Sequence, residues 1–167
     1  QWSSSAASDV YKRQTLINKE GSNIFTKPIA GTLKKFNGLN KKKALNYFKN
    51  NIKETKEHNM IVDMERSDLS RICKPGSVKI FKKKFVEEYK HLFHYVTLVK
   101  GKLINNVNII DIIKSMMPGG SVIGCPKIRT LELLNNQENE DRNIYTGSFG
   151  YIKYLSLIHI SEPTRQS

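Results

Sequence analysis

The sequence predicts an α+β domain, a largely antiparallel sheet packed with helices. Three observations carry this. Residues 89–99 alternate, with Leu92, His94, Val96 and Leu98 on one face and Phe93, Tyr95, Thr97 and Val99 on the other. From about Lys42 to Ile72 apolar residues recur at helical spacing with no Gly or Pro between them. Short segments are separated by Gly/Pro turns, with strands and helices mixed rather than in strict βαβ alternation.

The elements follow in order. Asn23 to Ile29 reads as a short strand ending near Pro28, and Ala30-Gly31-Thr32 as the turn after it. Leu33 to Lys43 is a basic loop around Gly38, and the long helix follows. Pro75-Gly76 is a turn, Val78 to Phe81 a strand, and Gly101-Lys102 the turn that closes the alternating strand. Asn108 to Met117 reads as a short helix with Ile109, Ile112, Ile113 and Met116 inward. Pro118-Gly119-Gly120-Ser121 breaks it, and Pro126 suits the first turn of a further helix to about Asn136. Ile144 to Ile152 reads as a strand interrupted by Gly147 and Gly150. There is no internal repeat.

Composition sets the two ends apart. Residues 1–14 are rich in Ser and Ala and lack periodicity, and residues 155–167 do not continue the Lys-, Asn- and Ile-rich style of the middle. Both read as non-native, adaptor-like tails, which leaves 15–154 as the domain. No apolar run is long enough to span a membrane. The two cysteines, Cys73 and Cys125, are far apart and form no CxxC, which suits a reducing cytoplasm and small buried side chains rather than a disulfide scaffold or a zinc site.

The net charge is +13, nearly all of it between residues 15 and 154. A basic nucleic-acid-binding module is one reading of that excess. The charges are mostly Lys, in runs such as Lys41-Lys42-Lys43 and Lys82-Lys83-Lys84, without interleaved aromatics and without a recognisable nucleic-acid-binding pattern. A solvated Lys-rich surface that favours an anionic small substrate is the preferred reading, with no nucleic acid and no membrane as partner.

Several groups could carry chemistry. Glu54 and Glu57 stand three residues apart on the long helix, on a stripe that continues to Ile61 and Met64, so both are expected to look inward while Lys56, Asn59 and Asp63 look out. Paired inward carboxylates need a cation or donors between them, and Mg2+ is the natural one; a solvated charged face with ordinary Glu–Lys pairs is the other reading. His94 is either a satisfied core histidine or, near inward carboxylates, a general acid or base. Pro118 to Lys127 (PGGSVIGCPK) is a Gly-rich loop entering a helix, fit to hold a carboxylate or phosphate on backbone N–H groups or to serve as a plain loop. It is not a phosphate-binding P-loop, since Cys125-Pro126 follows Gly124 where that motif needs Lys. Around Tyr145 to Tyr151 the glycines mark either a ligand's approach to the backbone or a loosened edge strand.

Taken in chain order, these pieces resemble the chorismate-utilising enzymes, the family of anthranilate synthase component I and aminodeoxychorismate synthase component I. Lys27 to Thr32 (KPIAGT) is similar to the family's PIAGT segment, and Glu54 to Leu69 (ETKEHNMIVDMERSDL) to its ExxEHxMxVDLxRxDL helix. Arg71-Ile72-Cys73 with Pro75-Gly76-Ser77-Val78 resembles its RVCxPGSV turn, and Tyr89 with His94 its YxxxxH strand. Pro118 to Arg129 resembles the PGGSxTGxPKxR loop, and Arg142 with Tyr145 to Tyr151 the RxxYxGxxGY strand. Met64, Ser67, Ile123 and Cys125 depart from the usual residues, none of them at a position given a chemical role.

The resemblance implies a larger catalytic domain of which this chain is an internal part, truncated at both ends and inactive alone. It implies Mg2+ held by Glu54 and Glu57, His94 beside the departing C4 hydroxyl of chorismate, and Ala30, Thr32, Ser121, Tyr145 and Gly147 around the substrate's carboxylates and ring. A second carboxylate pair, a substrate arginine and a further Gly-rich loop lie beyond Tyr151 in that family. Ammonia comes from a glutamine amidotransferase partner. Ala30 points to the anthranilate branch, towards tryptophan. Pro118 to Ser121 and Arg142-Asn143 with Gly147-Ser148 point to the aminodeoxychorismate branch, towards p-aminobenzoate and folate, and the balance lies slightly with the latter.

Overall fold

The computed structural model describes residues 13–143, 145–153 and 157–163. Among them run strands β1 (Arg13–Glu20), β2 (Asn23–Lys27) and β3 (Ile29–Lys34), helices α1 (Lys41–Asn50) and α2 (Ile52–Ser70), and strands β4 (Lys79–Glu88) and β5 (Leu92–Lys102). Helices α3 (Ile109–Met116), α4 (Gly120–Ile123) and α5 (Lys127–Gln137) follow, then strands β6 (Phe149–Lys153) and β7 (Leu157–Pro163). The expected class, mixed α+β with an antiparallel sheet, is the one observed.

All strand pairings are antiparallel. β5 is the centre. One edge pairs along its length with β4, and the other with β2 and then β3, which run end to end with the break at Pro28. β2 continues to β1, β7 and β6. The family-like segment at Ala30-Gly31-Thr32 is therefore strand, not turn. The chain gains one residue between Ile29 and Thr32 relative to β5, a bulge, and Gly31 at φ +100° sits in it. Pro28 removes one ladder donor and the bulge bends the strand, which is why these residues read locally as a turn.

The two faces of β5 are buried differently. Tyr95 and Thr97 face the helices: the Tyr95 ring stacks on Phe48 of α1 at 5.0 Å, and Thr97 shares a 2.7 Å hydrogen bond with His58 of α2. His94 lies on the opposite face. The main core joins Leu16, Ile24, Val62, Leu69, Val99 and Ile112, and Ile158 and Ile160 of β7 pack into it. Residues 157–163, set outside the domain on composition, are a strand between β1 and β6 in this structure.

The single long helix expected from Lys42 to Ile72 is two. Asn51 is extended, its amide donates to the Tyr47 carbonyl at 3.0 Å, and its side chain accepts from the Glu54 amide at 3.2 Å. Asn51-x-x-Glu54 is an N-terminal signature lying unnoticed inside an otherwise helical pattern. Two other elements are longer than expected. β4 extends to Glu88 through two bulges, and Gly101-Lys102 ends β5 within the ladder instead of turning it. α3 begins where expected, with a reciprocal cap between Asn108 and Asp111; Ile112 and Met116 are buried, whereas Ile113 is exposed. Strand β6 begins only at Phe149, and Tyr145-Thr146 is a turn; Ile144 lies outside the described residues. No helix among the described residues is long and apolar enough to cross a membrane.

Candidate active site

Ala30, Thr32, His94 and Glu54 lie on or against β3, which among the described residues pairs with β5 alone and so leaves one edge open. Thr32 stands opposite His94 in the ladder, and its Oγ1 lies 2.9 Å from His94 Nδ1. Gly31, the preceding residue, turns the other way. A Cβ there would lie 2.9 Å from Glu54 Oε2 and 2.9 Å from Phe48 Cε1, so its backbone lies directly against α1 and the start of α2. Ala30 is buried with Ile61 and Met64 of α2. Consecutive residues of one bulged strand thus touch the carboxylate helix and the histidine strand.

Glu54 is half-buried and Glu57 is exposed. Both fall within the arc of α2 that further along holds His58, Ile61, Glu65, Asp68 and Leu69 in the core, but that burial begins only at His58. The expectation that both carboxylates look inward therefore holds for Glu54, which lies against Gly31, and is corrected for Glu57, which is exposed one turn before the buried stretch of α2 begins. Burial raises the Glu54 carboxyl above its usual range, the charge of Glu57 raises it further, and Lys53 opposes both. Two mutually repelling carboxylates with one side open are suited to a hard cation that also keeps water or substrate oxygens. No group of three or more His, Cys, Asp or Glu side chains that could hold a metal ion converges among the described residues.

His94 is fully buried within polar company that sequence reading did not name in full. Tyr89 lies edge-on to its ring at 5.2 Å and donates a 2.9 Å hydrogen bond to Glu87, which stands opposite His94 in the β4–β5 ladder. Lys27 Nζ reaches both Glu87 oxygens, at 2.9 and 3.1 Å. Burial, reinforced by the bond to Glu87, pushes the Tyr89 hydroxyl up to about 12, so it remains a donor near neutral pH. The signal for this group was the ladder register, which requires the full extent of β4.

Ser121 lies in α4, whose Gly120 packs on Met64 of α2 so closely that a Cβ would fall 2.9 Å from its Sδ. Ser121, half-buried, is the next residue along that short helix. Tyr145 and Gly147 do not join the residues around β3 here: Tyr145 is 72% exposed in its turn, with its amide donating to the Arg142 carbonyl, and Gly147 is exposed. Lysines do meet aromatics: Lys82 lies 4.2 Å from the ring centroid of Phe85 on the same strand, and Lys100 of β5 lies 5.2 Å from that of Phe25 on neighbouring β2.

Comparison with known proteins places this arrangement in a class. Residues 14–158 match the model of the chorismate binding enzyme family, and the chain belongs to that family. It is 39% identical over 142 residues to aminodeoxychorismate synthase component 1 of Bacillus subtilis, covering 84% of this chain and 30% of that protein. It is 38% identical, again over 142 residues, to anthranilate synthase component 1 of Aquifex aeolicus, covering 84% of this chain and 29% of that protein. Anthranilate synthase component I from Streptococcus pneumoniae superposes with a TM-score of 0.76 at 31% identity, over 89% of this chain and 32% of that one. The menaquinone-specific isochorismate synthase of Escherichia coli shares the fold, with a TM-score of 0.72 at 18% identity, over 90% of this chain and 36% of that one. The chain spans about a third of the length of these relatives, and both the aminodeoxychorismate synthase and the anthranilate synthase names occur among them, at 39% and 38% identity.

Proposed function

We propose that this chain is part of a Mg2+-dependent synthase that aminates chorismate, of the aminodeoxychorismate type, and that residues 15–154 are the family-derived part. The observation that carries the reading is the convergence of Gly31, Thr32, His94 and Glu54 around one bulged strand. Three separate family-like segments meet there, although no single one of them is decisive.

In this reading Glu54 and Glu57, three residues apart on α2, hold the cation. When bound, Mg2+ would neutralise the ring carboxylate of chorismate and ease departure of its C4 hydroxyl. His94 supplies the proton or hydrogen bond to that hydroxyl. Thr32 fixes the His94 ring through a 2.9 Å hydrogen bond at Nδ1. The Ser121 hydroxyl and Gly-loop amides meet a substrate carboxylate. Tyr145 and Gly147 are assigned to the ring side of the substrate on family resemblance alone.

Ala30 offers no amine for attack on the ring, and it is packed against Ile61 and Met64. The amino group must then arrive as ammonia, supplied by a glutamine amidotransferase partner. The folate branch rests on Pro118 to Ser121 and on Arg142-Asn143 with Gly147-Ser148. The anthranilate alternative rests on Ala30. Product analysis of the gene-length protein with chorismate, ammonia and Mg2+ separates them: 4-amino-4-deoxychorismate supports the reading, and anthranilate overturns the branch. A cytoplasmic setting fits the two unpaired cysteines. The 167-residue chain alone should turn over no chorismate, and measurable turnover by it would contradict the proposal.

A further inference from the structure

Asp68 and Lys127 form an ion pair between the last turn of α2 and the first residue of α5, with side-chain exposures of only 4% and 14%. Neither was nominated for chemistry. Burial pushes the Asp68 carboxyl up, and Lys127 pulls it back. The pair is tied in on both sides: Lys127 Nζ also reaches the Met116 carbonyl at 3.3 Å, and Ser115 Oγ donates to the Asp68 carbonyl at 2.7 Å.

Two features of α5 make this pair unusual. A cation at a helix N-terminus opposes the helix dipole, so Lys127 gains nothing there from its own helix. None of the residues of α5 is buried, so no apolar face anchors the helix. The chain entering α5 is the Gly-rich turn, closed by amide bonds from Val122 and Ile123 to the Gly119 carbonyl and from Gly124 to that of Gly120. Behind it, Gly120 lies on Met64, which packs with Ala30 and Ile61.

We propose that the Asp68–Lys127 pair is a positioning device, fastening the Gly119-Gly120-Ser121 turn to the helix that carries Glu54 and Glu57. What Ser121 then meets rests on the function proposed above; the fastening itself does not. A buried ion pair is a poor source of net stability, because desolvation offsets its attraction, but it defines one geometry where an apolar contact could slide. Asp68 and Lys127 act through Ser121 and touch no substrate themselves.

Hydrogen exchange on the 167-residue chain tests the fastening. In Lys127→Met, which keeps the stem and removes the charge, the Val122, Ile123 and Gly124 amides should exchange about tenfold faster or more, while those of Phe93 to Val99 keep their rates. Lys127→Arg should restore slow exchange, and Asp68→Asn should reproduce the loss. Unchanged turn amides in Lys127→Met would overturn the proposal. So would a uniform acceleration that includes β5, since the pair would then be an ordinary stability contact. In the gene-length protein, Lys127→Met should raise KM for chorismate about tenfold with kcat nearly kept, and a loss confined to kcat would equally overturn the positioning role. Absence of turnover in the unsubstituted protein would refute the proposed activity and leave the exchange result standing.

Discussion

Gly31→Ala tests the geometry of the site in a way that can be worked from the structure. Two costs are involved. Gly31 has φ +100°, where an L side chain is strained by about 1–2 kcal/mol. The new Cβ would also lie 2.9 Å from Phe48 Cε1 and from Glu54 Oε2. The glutamate is the end of a flexible side chain and can swing aside. The phenyl ring cannot, because Phe48 is fully buried and stacked on Tyr95 at an interplanar angle of 11°. Overpacking of that kind costs about 1–3 kcal/mol. Gly38 provides the control, with φ +84° and nothing within 4 Å of its Cβ, so Gly38→Ala carries the backbone cost alone. Urea unfolding of both variants should show Gly31→Ala less stable than Gly38→Ala by about 1–3 kcal/mol. Equal losses would mean that β3 does not lie against Phe48 and Glu54, and the site as described would fall with it.

Three further outcomes are expected. His58 is fully buried, and burial, reinforced by Lys84, holds its pKa down to about 4 from 6.5, so the unfolded chain binds the proton first. Stability is then complete above pH 6.5 and is lost as pH falls towards 4, by about 2.5 kcal/mol between pH 7.5 and 4.5; His58→Gln should remove that slope, and parallel loss in both proteins would contradict it. Thiol labelling of the native chain should modify exposed Cys125 quickly, whereas Cys73, buried and with its thiol pushed up to about 11, should react only on unfolding; two equally fast thiols would refute the packing of Cys73. Asn108→Ala removes one half of the α3 capping box and should cost about 1 kcal/mol in chemical denaturation, and an unchanged midpoint would refute the cap.

Much of this was legible in the sequence where one periodicity governs one element. The alternation of residues 92–99 located β5 and both of its faces, and Asn108 to Met117 located α3 nearly to the residue. The failures arose where tertiary structure overrides local pattern. Ala30-Gly31-Thr32 looks like a turn because Pro28 and Gly31 are turn residues, yet a bulge uses both within a strand. β4 was cut short because Lys82-Lys83-Lys84 carries no alternation, and its pairing is imposed by β5 through two register shifts. The helix stripe put Glu54 and Glu57 on the right side of α2, but periodicity says nothing of where along a helix burial begins, so Glu57 was placed too deep. His58, Asp68 and Lys127 passed unnoticed because a charged or imidazole side chain in a helical pattern reads as surface until its partner on another element is known. Thr32 and His94, by contrast, were nominated separately and meet at hydrogen-bond distance.

The central claim is that Glu54 and Glu57 hold the cation through which chorismate is activated. Its most direct test is steady-state turnover of chorismate by the gene-length protein across a Mg2+ titration, unsubstituted and as Glu57→Gln. The account predicts turnover that requires Mg2+ and collapses in Glu57→Gln, with the exposed position of Glu57 leaving the fold unaffected. Turnover that survives Glu57→Gln with the same dependence on Mg2+ would contradict it.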